Sequence, residues 1–439
     1  MKGKGMIIGK DDETEGIIDD DLTEEIGDIM GDDLGLASDE DTSEGENVIP
    51  PRNDGEILES VKIEGEEDSL KKLEKAPDVK KKSSVTKELY QEFNSFLEEK
   101  VSIKEEMGEK RFIPTGIDLL DAVMGGGFTI GTLEMIVGAP GSGKSMLAMQ
   151  ALGNAQKVYK NEGLLAGYLD SEHSTTWQRL ANLGVRNPKI KPYSEDITVE
   201  RVFRYLEGLC LFKLEKGLID TPSVVVWDSI ANTLSQKELE AEDPNSVIGY
   251  KARLFSLLIP KYVSKCSKFN ICLLTINQLR DSMKLGQFAP PKDLKYLSHT
   301  KEIPGGNVLK FNSFHLLELK VKSAIDPNKV GFEGFIGKVK LVKNKMFVPN
   351  IEIDIVGDFV RGFNNFYTNY NFLVDTKRLK SGAWNYLVNM PDKKFRTKDA
   401  KELYDTDENF RKAFNDAKDE AIYKELIEKN EYKIEDEDE

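Results

Sequence analysis

The sequence predicts an α/β fold: a mostly parallel sheet with antiparallel additions and helices on both faces, an acidic disordered N-terminal arm and a small C-terminal subdomain. Three observations support it. From residue 111 onward, apolar runs of strand length alternate with helical stretches, the order of a parallel sheet with crossover helices. A glycine-rich turn, "GAPGSGKS" at 138–145, joins one such run to a helix. Charge is segregated, with acid gathered at the two ends of the chain.

Residues 1–70 hold 24 Asp and Glu against 5 Lys and Arg, a net charge of −19, whereas the whole 439-residue chain is −16. Residues 71–439 therefore sum to +3, and residues 71–434, without the terminal "EDEDE" at 435–439, to +8. A basic body between acidic tails suits a nucleic-acid partner, with the tails competing for the same surface. Residues 1–82 lack sustained periodicity and read as a disordered arm, in keeping with a hydrophobic content of 39%. "DDETEGIIDDDL" (11–22) is not a calcium loop, because Leu22 stands where a bidentate Glu is needed. Residues 83–110 carry Leu89, Phe93, Phe96 and Leu97 at helical spacing. That helix must bury its apolar face, either on its own core or on a neighbouring subunit.

Three cysteines and three scattered histidines show neither metal spacing nor a disulfide framework, which suits a reducing cytoplasm. No apolar run reaches membrane-spanning length and the N-terminus has no signal-peptide core, so a cytoplasmic protein with no membrane partner is expected.

Within 111–362, the expected core, "TLEMIVG" (132–138), "LLAGYLD" (164–170), "SVVVWDS" (223–229) and "FNICLLTIN" (269–277) read as buried strands. Helices are expected over 143–160, 174–183, 198–216 and 249–267. Residues 313–323, 334–347 and 350–357 alternate with period two and have short connections, which predicts antiparallel additions. Residues 363–434 mix loops with helical stretches and form the expected C-terminal subdomain.

Gly138, Ala139, Pro140, Gly141, Ser142, Gly143, Lys144 and Ser145 satisfy G-x-x-x-x-G-K-[ST] in full. The glycines let backbone N–H groups turn toward phosphate oxygens, and the helix start adds its positive dipole end. Lys144 is expected to bridge the β- and γ-phosphates and Ser145 to ligate magnesium, so ATP and Mg²⁺ are the expected ligands. Asp228 ends a strand beside this turn and is the candidate for holding the ion's water shell. Many strands end in Asp as a plain turn signal, but with the phosphate turn present the ion-holding reading of Asp228 is favoured. Glu172, at the tip of "YLDSEHS", is the candidate base that orients water toward the γ-phosphate. The competing reading makes this tip a helix cap, through Asp170, Ser171 or Ser174. "LLTINQLRDS" (273–282) ends a strand with Asn277, Gln278 and Arg280. Gln278 is placed to sense the γ-phosphate. The aperiodic stretch 281–303 interleaves Lys284, Lys292, Lys295 and Lys301 with Phe288 and Tyr296, the mixture that meets phosphates and bases of single-stranded DNA; a merely solvated loop has similar composition.

These motifs, in this order, resemble the RecA family of homologous recombinases, most nearly the tailed-phage UvsX type. "IPTGIDLLDAVMGGGFTIGTLEMIVGAPGSGKS" (113–145), "LDSEH", "VVVWDS", "TINQLR", "PGGNVLKFNSFHLLELK" (304–320) and "KVKLVKNKMFVP" (338–349) carry the resemblance. It implies a RecA-like core whose active site lies between subunits of a helical filament on DNA. Lys343 and Lys345 of "VKNK" would then reach the neighbour's γ-phosphate, and Lys310 and Phe311 of "LKF" would pack at the subunit interface. Residues 238–252 take the place of the first DNA-binding loop, with Arg253 on the helix after it and Arg280 before the second. The family stacks a tyrosine on adenine where this sequence has Arg179, beside Trp177; a guanidinium plane also stacks. The acidic arm lies outside the family pattern and reads as a DNA mimic or a partner contact.

The resemblance implies an ATP-dependent DNA recombinase and DNA-dependent ATPase. Its partners would be single- and double-stranded DNA, further copies of itself, and single-strand-binding and loader proteins, in a host cytoplasm if the chain is phage-encoded. A hexameric ring helicase on a similar core and a regulatory ATPase or mediator without strand exchange are the alternatives.

Overall fold

The computed structural model describes Ser95 and residues 110–186, 192–193, 197–281 and 301–428. The acidic arm, most of the 83–110 helix, residues 282–300 and the terminal tail lie outside the described residues.

A nine-stranded sheet organises the rest. Its strands in chain order are β1 (Leu133–Gly138), β2 (Leu165–Asp170), β3 (Pro192–Tyr193), β4 (Ser223–Asp228), β5 (Ile271–Gln278), β6 (His315–Ala324), β7 (Gly334–Asn344), β8 (Glu352–Asp358) and β9 (Gly362–Phe363). Across the sheet they run β9-β8-β7-β6-β1-β5-β4-β2-β3. The four expected strands 132–138, 164–170, 223–229 and 269–277 all form, are buried almost throughout and run parallel.

The addition at 313–323 differs from expectation. β6 is antiparallel to β7 but parallel to β1, with Leu316 opposite Met135 and Leu319 opposite Gly138. The long connection from Gln278 to His315 permits the crossover that parallel pairing needs, so β6 belongs to the parallel core. β7, β8 and β9 are the antiparallel additions.

Helices Asp118–Met124 (α1) and Lys144–Val158 (α2) cover one face, where Leu147 and Leu152 join a buried cluster with Ile136, Leu274, Ile276, Leu317 and Leu319. Trp177–Asn182 (α3) follows β2. On the opposite face, Val199–Glu215 (α4) and Tyr250–Lys268 (α6) bring Phe203 and Phe255 edge-on to Trp227 of β4, at 6.1 and 5.9 Å between ring centroids. Between these helices lies the short Gln236–Glu240 (α5), closed by a capping box of Ser235 and Glu238. Asn307–Asn312 (α7) leads into β6.

Residues 363–428 hold more than loops and the expected helices. Asn365–Asp375 (α8), Ala400–Thr406 (α9) and Glu408–Ile422 (α10) pack around a three-stranded antiparallel sheet, Leu379–Lys380, Asn385–Leu387 and Met390–Phe395. Phe366, Tyr370, Phe395, Phe410 and Phe414 fill its core. These strands are short and half polar, so no period-two signal marks them.

Candidate functional site

Parallel strands place their carboxyl ends on one edge, and there the expected site residues converge. β1 ends at Gly138, whose Cβ, if present, would lie 2.5 Å from the carbonyl oxygen of Leu319 and from Ser142 Oγ. Only glycine fits between β6 and the turn. Gly141 and Gly143 take φ of +73° and +92°, the left-handed region that glycine enters without penalty. α2 then begins at Lys144 with no acidic residue in its own first turn to offset the positive end of its dipole.

Lys144 Nζ donates to Ala139 O at 2.8 Å, folding back over its own turn. Burial pushes its ammonium below the ordinary lysine range, against the opposing pull of Asp228 and Glu172. Asp228 stands at the end of β4, in register with Asp170 of β2 and Ile276 of β5. Its Oδ2 accepts a hydrogen bond from Tyr168 Oη at 2.7 Å, while its Oδ1 is buried with no hydrogen-bond partner. Burial raises the Asp228 carboxyl, and the Ser145 and Tyr168 hydroxyls act in the other direction. Ser142 Oγ is likewise buried and unpartnered. An orphaned hydroxyl in a glycine turn and an orphaned carboxylate oxygen beside it fit a phosphate and a hydrated divalent cation.

Glu172 is exposed at the tip of β2, yet three donors converge on one of its oxygens. Its Oε1 accepts from Ser229 Oγ at 2.7 Å, Asn232 Nδ2 at 2.8 Å and Gln278 Nε2 at 3.3 Å. The two expected residues, Glu172 and Gln278, therefore meet directly. Gln278 is held from behind: its N–H donates to Asn277 Oδ1 at 2.9 Å, and Asn277 Nδ2 donates to Pro304 O at 2.8 Å. The capping alternative for this tip does not hold. Thr176 caps α3, accepting from Arg179 N at 3.2 Å, and the helix starts at Trp177 rather than 174. Asp170 instead accepts from Glu172 N and Thr175 N, at 3.1 and 2.8 Å, and shapes the turn that presents Glu172.

Other expected residues lie apart from this cluster. Arg179 on α3 donates from Nη1 to Phe359 O at 2.6 Å, and the exposed Phe359 ring packs 5.7 Å from Phe335, which in turn faces Gly143. Lys343 and Lys345 stand at the opposite edge of the sheet from the glycine turn. Lys343 is in register with Leu316, which is opposite Met135 near the start of β1. Lys345 N donates to Phe314 O, and Phe314 N donates to Leu133 O. The five steps from Leu133 to Gly138 span about 16 Å at strand rise, so neither lysine converges on the phosphate turn of its own chain. Lys343 Nζ donates to Lys310 O at 3.1 Å and Phe311 O at 2.6 Å, closing the end of α7, and its ammonium is pushed down to about 8 by burial and by Lys345. Lys310 Nζ donates to Asn307 Oδ1 at 2.7 Å. Phe311 is 54% exposed.

Arg253 is exposed on the first turn of α6, and Arg280 is exposed just beyond β5. Arg280 and Asp281 pair with Glu302 and Lys301 across the base of the 282–300 segment. Lys284, Phe288, Lys292, Lys295 and Tyr296 fall outside the described residues. Sequence reasoning missed Tyr168, Ser229 and Asn232. Ser229 and Asn232 follow Asp228 in "DSIAN", where position after a strand-end carboxylate was the available signal.

The turn, the strand-end carboxylate and the paired Glu172 and Gln278 define a P-loop α/β protein. Comparison with known proteins narrows this. Residues 96–364 match the family model described as RecA N-terminal domain. The chain is 33% identical over 275 residues to Protein RecA of Geobacter metallireducens, covering 62% of this chain and 74% of that one. It is 32% identical over 276 residues to Protein RecA of Borrelia duttonii, covering 62% and 70%. With Protein RecA of Treponema pallidum the identity is 31% over 275 residues, covering 62% of each. The chain belongs to the RecA family of recombinases. Among the described residues, no helix is long and apolar enough to cross a membrane.

Proposed function

We propose that this protein is an ATP-dependent DNA recombinase of the tailed-phage type. In this reading it assembles as a helical filament on single-stranded DNA in the cytoplasm, pairs that strand with homologous duplex and exchanges strands, with ATP hydrolysis releasing DNA. Single-strand-binding and loader proteins are its expected helpers. The observation that carries the reading is the hydrogen bond between Glu172 and Gln278, which joins a water-orienting carboxylate to the strand leading into the 281–303 segment.

Gly138–Ser145 would hold the triphosphate through backbone N–H groups, and Lys144 would leave Ala139 O for the β- and γ-phosphates. Ser145 and Asp228 would hold magnesium, Asp228 through water. Magnesium, when bound, would offset the negative charge of the phosphates. Glu172 would orient and deprotonate the attacking water, and Gln278 would register the γ-phosphate and bias the 281–303 segment. Arg179 would border the base. Lys343 and Lys345, remote from their own glycine turn, would serve the site of the adjoining subunit, with Lys310 and the exposed Phe311 at that interface. Arg253, Arg280, Lys284, Phe288, Lys292, Lys295, Tyr296 and Lys301 would contact DNA.

Negative-stain microscopy of the protein with single-stranded DNA and a non-hydrolysable ATP analogue tests this. Continuous helical filaments that disappear without nucleotide are expected. Closed six-membered rings would instead identify a helicase, and unassembled protein a regulatory ATPase.

A further inference from the structure

Asn232 is an exposed residue on the link between β4 and α5, yet its backbone is anchored on both sides. Its own N–H and that of Thr233 donate to Ser229 O at 3.2 and 3.1 Å. Thr233 is fully buried, and its hydroxyl accepts from Trp227 Nε1 and donates to Ser229 O, both at 2.8 Å. Thr233 O accepts from Lys251 Nζ at 2.5 Å, on the first turn of α6. Asn232 thus extends from a rigid base, and its amide reaches Glu172 Oε1 at 2.8 Å. This is shorter than the 3.3 Å from Gln278, and neither bond uses Oε2.

We infer that Asn232 is a positioning residue for hydrolysis: it fixes Glu172 by one oxygen, so that the other is presented to water, and it ties Glu172 to the 233–253 segment as Gln278 ties it to the 281–303 segment. The inference rests on the reading of Glu172 as the water-orienting base. Its physical basis is preorganisation. A carboxylate on an exposed turn has free rotamers, and a donor on a fixed backbone removes them before the reaction begins. Ser229 Oγ, at the end of β4, holds the same oxygen at 2.7 Å, so Asn232 completes a clamp on Oε1 that leaves Oε2 to water.

The test uses single-stranded-DNA-stimulated ATPase assays on the full chain with Asn232→Ala, Asn232→Asp and, as control, Glu172→Gln. Asn232→Ala should lower kcat roughly 10- to 100-fold, the cost of loose placement, while KM for ATP stays within about 2-fold. Asn232→Asp should be worse than Ala, because it sets a like charge against Glu172. A purely structural asparagine predicts the reverse order, since Asp replaces Asn well in turns and caps. Asn232→Asp as active as wild type or more active than Ala, or a raised KM with kcat intact, would overturn the inference. Melting at the wild-type temperature excludes misfolding as the cause, and for a variant that melts early, the order of Asp and Ala measured below its transition still decides. An active Glu172→Gln would mean that the base reading itself has failed, whereas an inactive Glu172→Gln with wild-type Asn232→Asp would sink only the positioning role.

Discussion

Replacing Tyr168 by Phe probes the ion-binding reading at one atom. The Tyr168 hydroxyl donates to Asp228 Oδ2 at 2.7 Å, with both residues buried. The substitution keeps the ring and deletes that donor, leaving Asp228 Oδ2 without its tyrosine partner. A hydrogen bond to a charged group contributes about 1.5–3 kcal/mol, so the folded state should lose that much. Part of the loss falls on the ionised form alone. A hydrogen bond to a carboxylate favours its charged state, so removing it raises a carboxyl that burial already holds above the ordinary range. The sign follows from proton counting: the folded protein then binds more protons than the unfolded chain above the ordinary aspartate range, and stability falls as pH rises through that window. Asp228 must ionise to hold the ion's water shell, so the acid limb of ATPase activity should move to higher pH, and half-saturating magnesium should rise roughly 10-fold, for about 1.4 kcal/mol of differential interaction. Magnesium titrations of ATPase activity at several pH values, with thermal melts alongside, measure each effect. If Tyr168→Phe melts lower but keeps the wild-type magnesium dependence and acid limb, Asp228 does not act on the ion and the reasoning is wrong.

Glu172→Gln should cut hydrolysis about 10²- to 10⁴-fold, the usual share of a general base, while binding of a fluorescent ATP analogue is retained. Lys345→Ala should leave nucleotide binding by free subunits unchanged and lower the assembled rate by about 10³-fold or more, by analogy with arginine fingers; a weaker-binding free subunit would show that Lys345 serves its own site. Lys213 is fully buried, donates to Thr221 O, Ser223 Oγ and Phe269 O, and is pushed down to about 8 by burial. The unfolded chain therefore binds the extra proton between about 8 and the ordinary 10.5, and this group makes stability rise with pH across that window, a rise that denaturant melts of Lys213→Met should lack. Deleting residues 1–70 removes a net charge of −19 and should tighten duplex DNA binding with a steeper salt dependence; unchanged affinity would end the DNA-mimic reading.

The phosphate turn was readable from sequence because its requirement is local. A backbone that leaves no room for a Cβ beside Leu319 O, and then turns through positive φ, accepts only glycine at fixed offsets. The four parallel strands were readable because full burial demands uninterrupted apolar residues. The partner of β6 was not readable: alternation reports burial on one side and is silent on strand direction, which the long crossover decided. The cap of α3 was missed because five capping-type residues crowd 170–176, and only the backbone path selects Thr176.

By itself, then, the sequence determined the kind of chemistry available: a phosphate turn, a strand-end carboxylate, a candidate base, a polar strand end and a family. Those features depend on residue type and short spacing, which one dimension records. Tertiary structure decided which of them meet. Glu172, Ser229, Asn232 and Gln278 come from three separate strand ends and converge because parallel strands share one edge. The same register carries Lys343 and Lys345 to the opposite edge, because β7 runs antiparallel to β6 and ends where β1 begins. Distances of this kind depend on strand order and direction, which nonlocal packing sets.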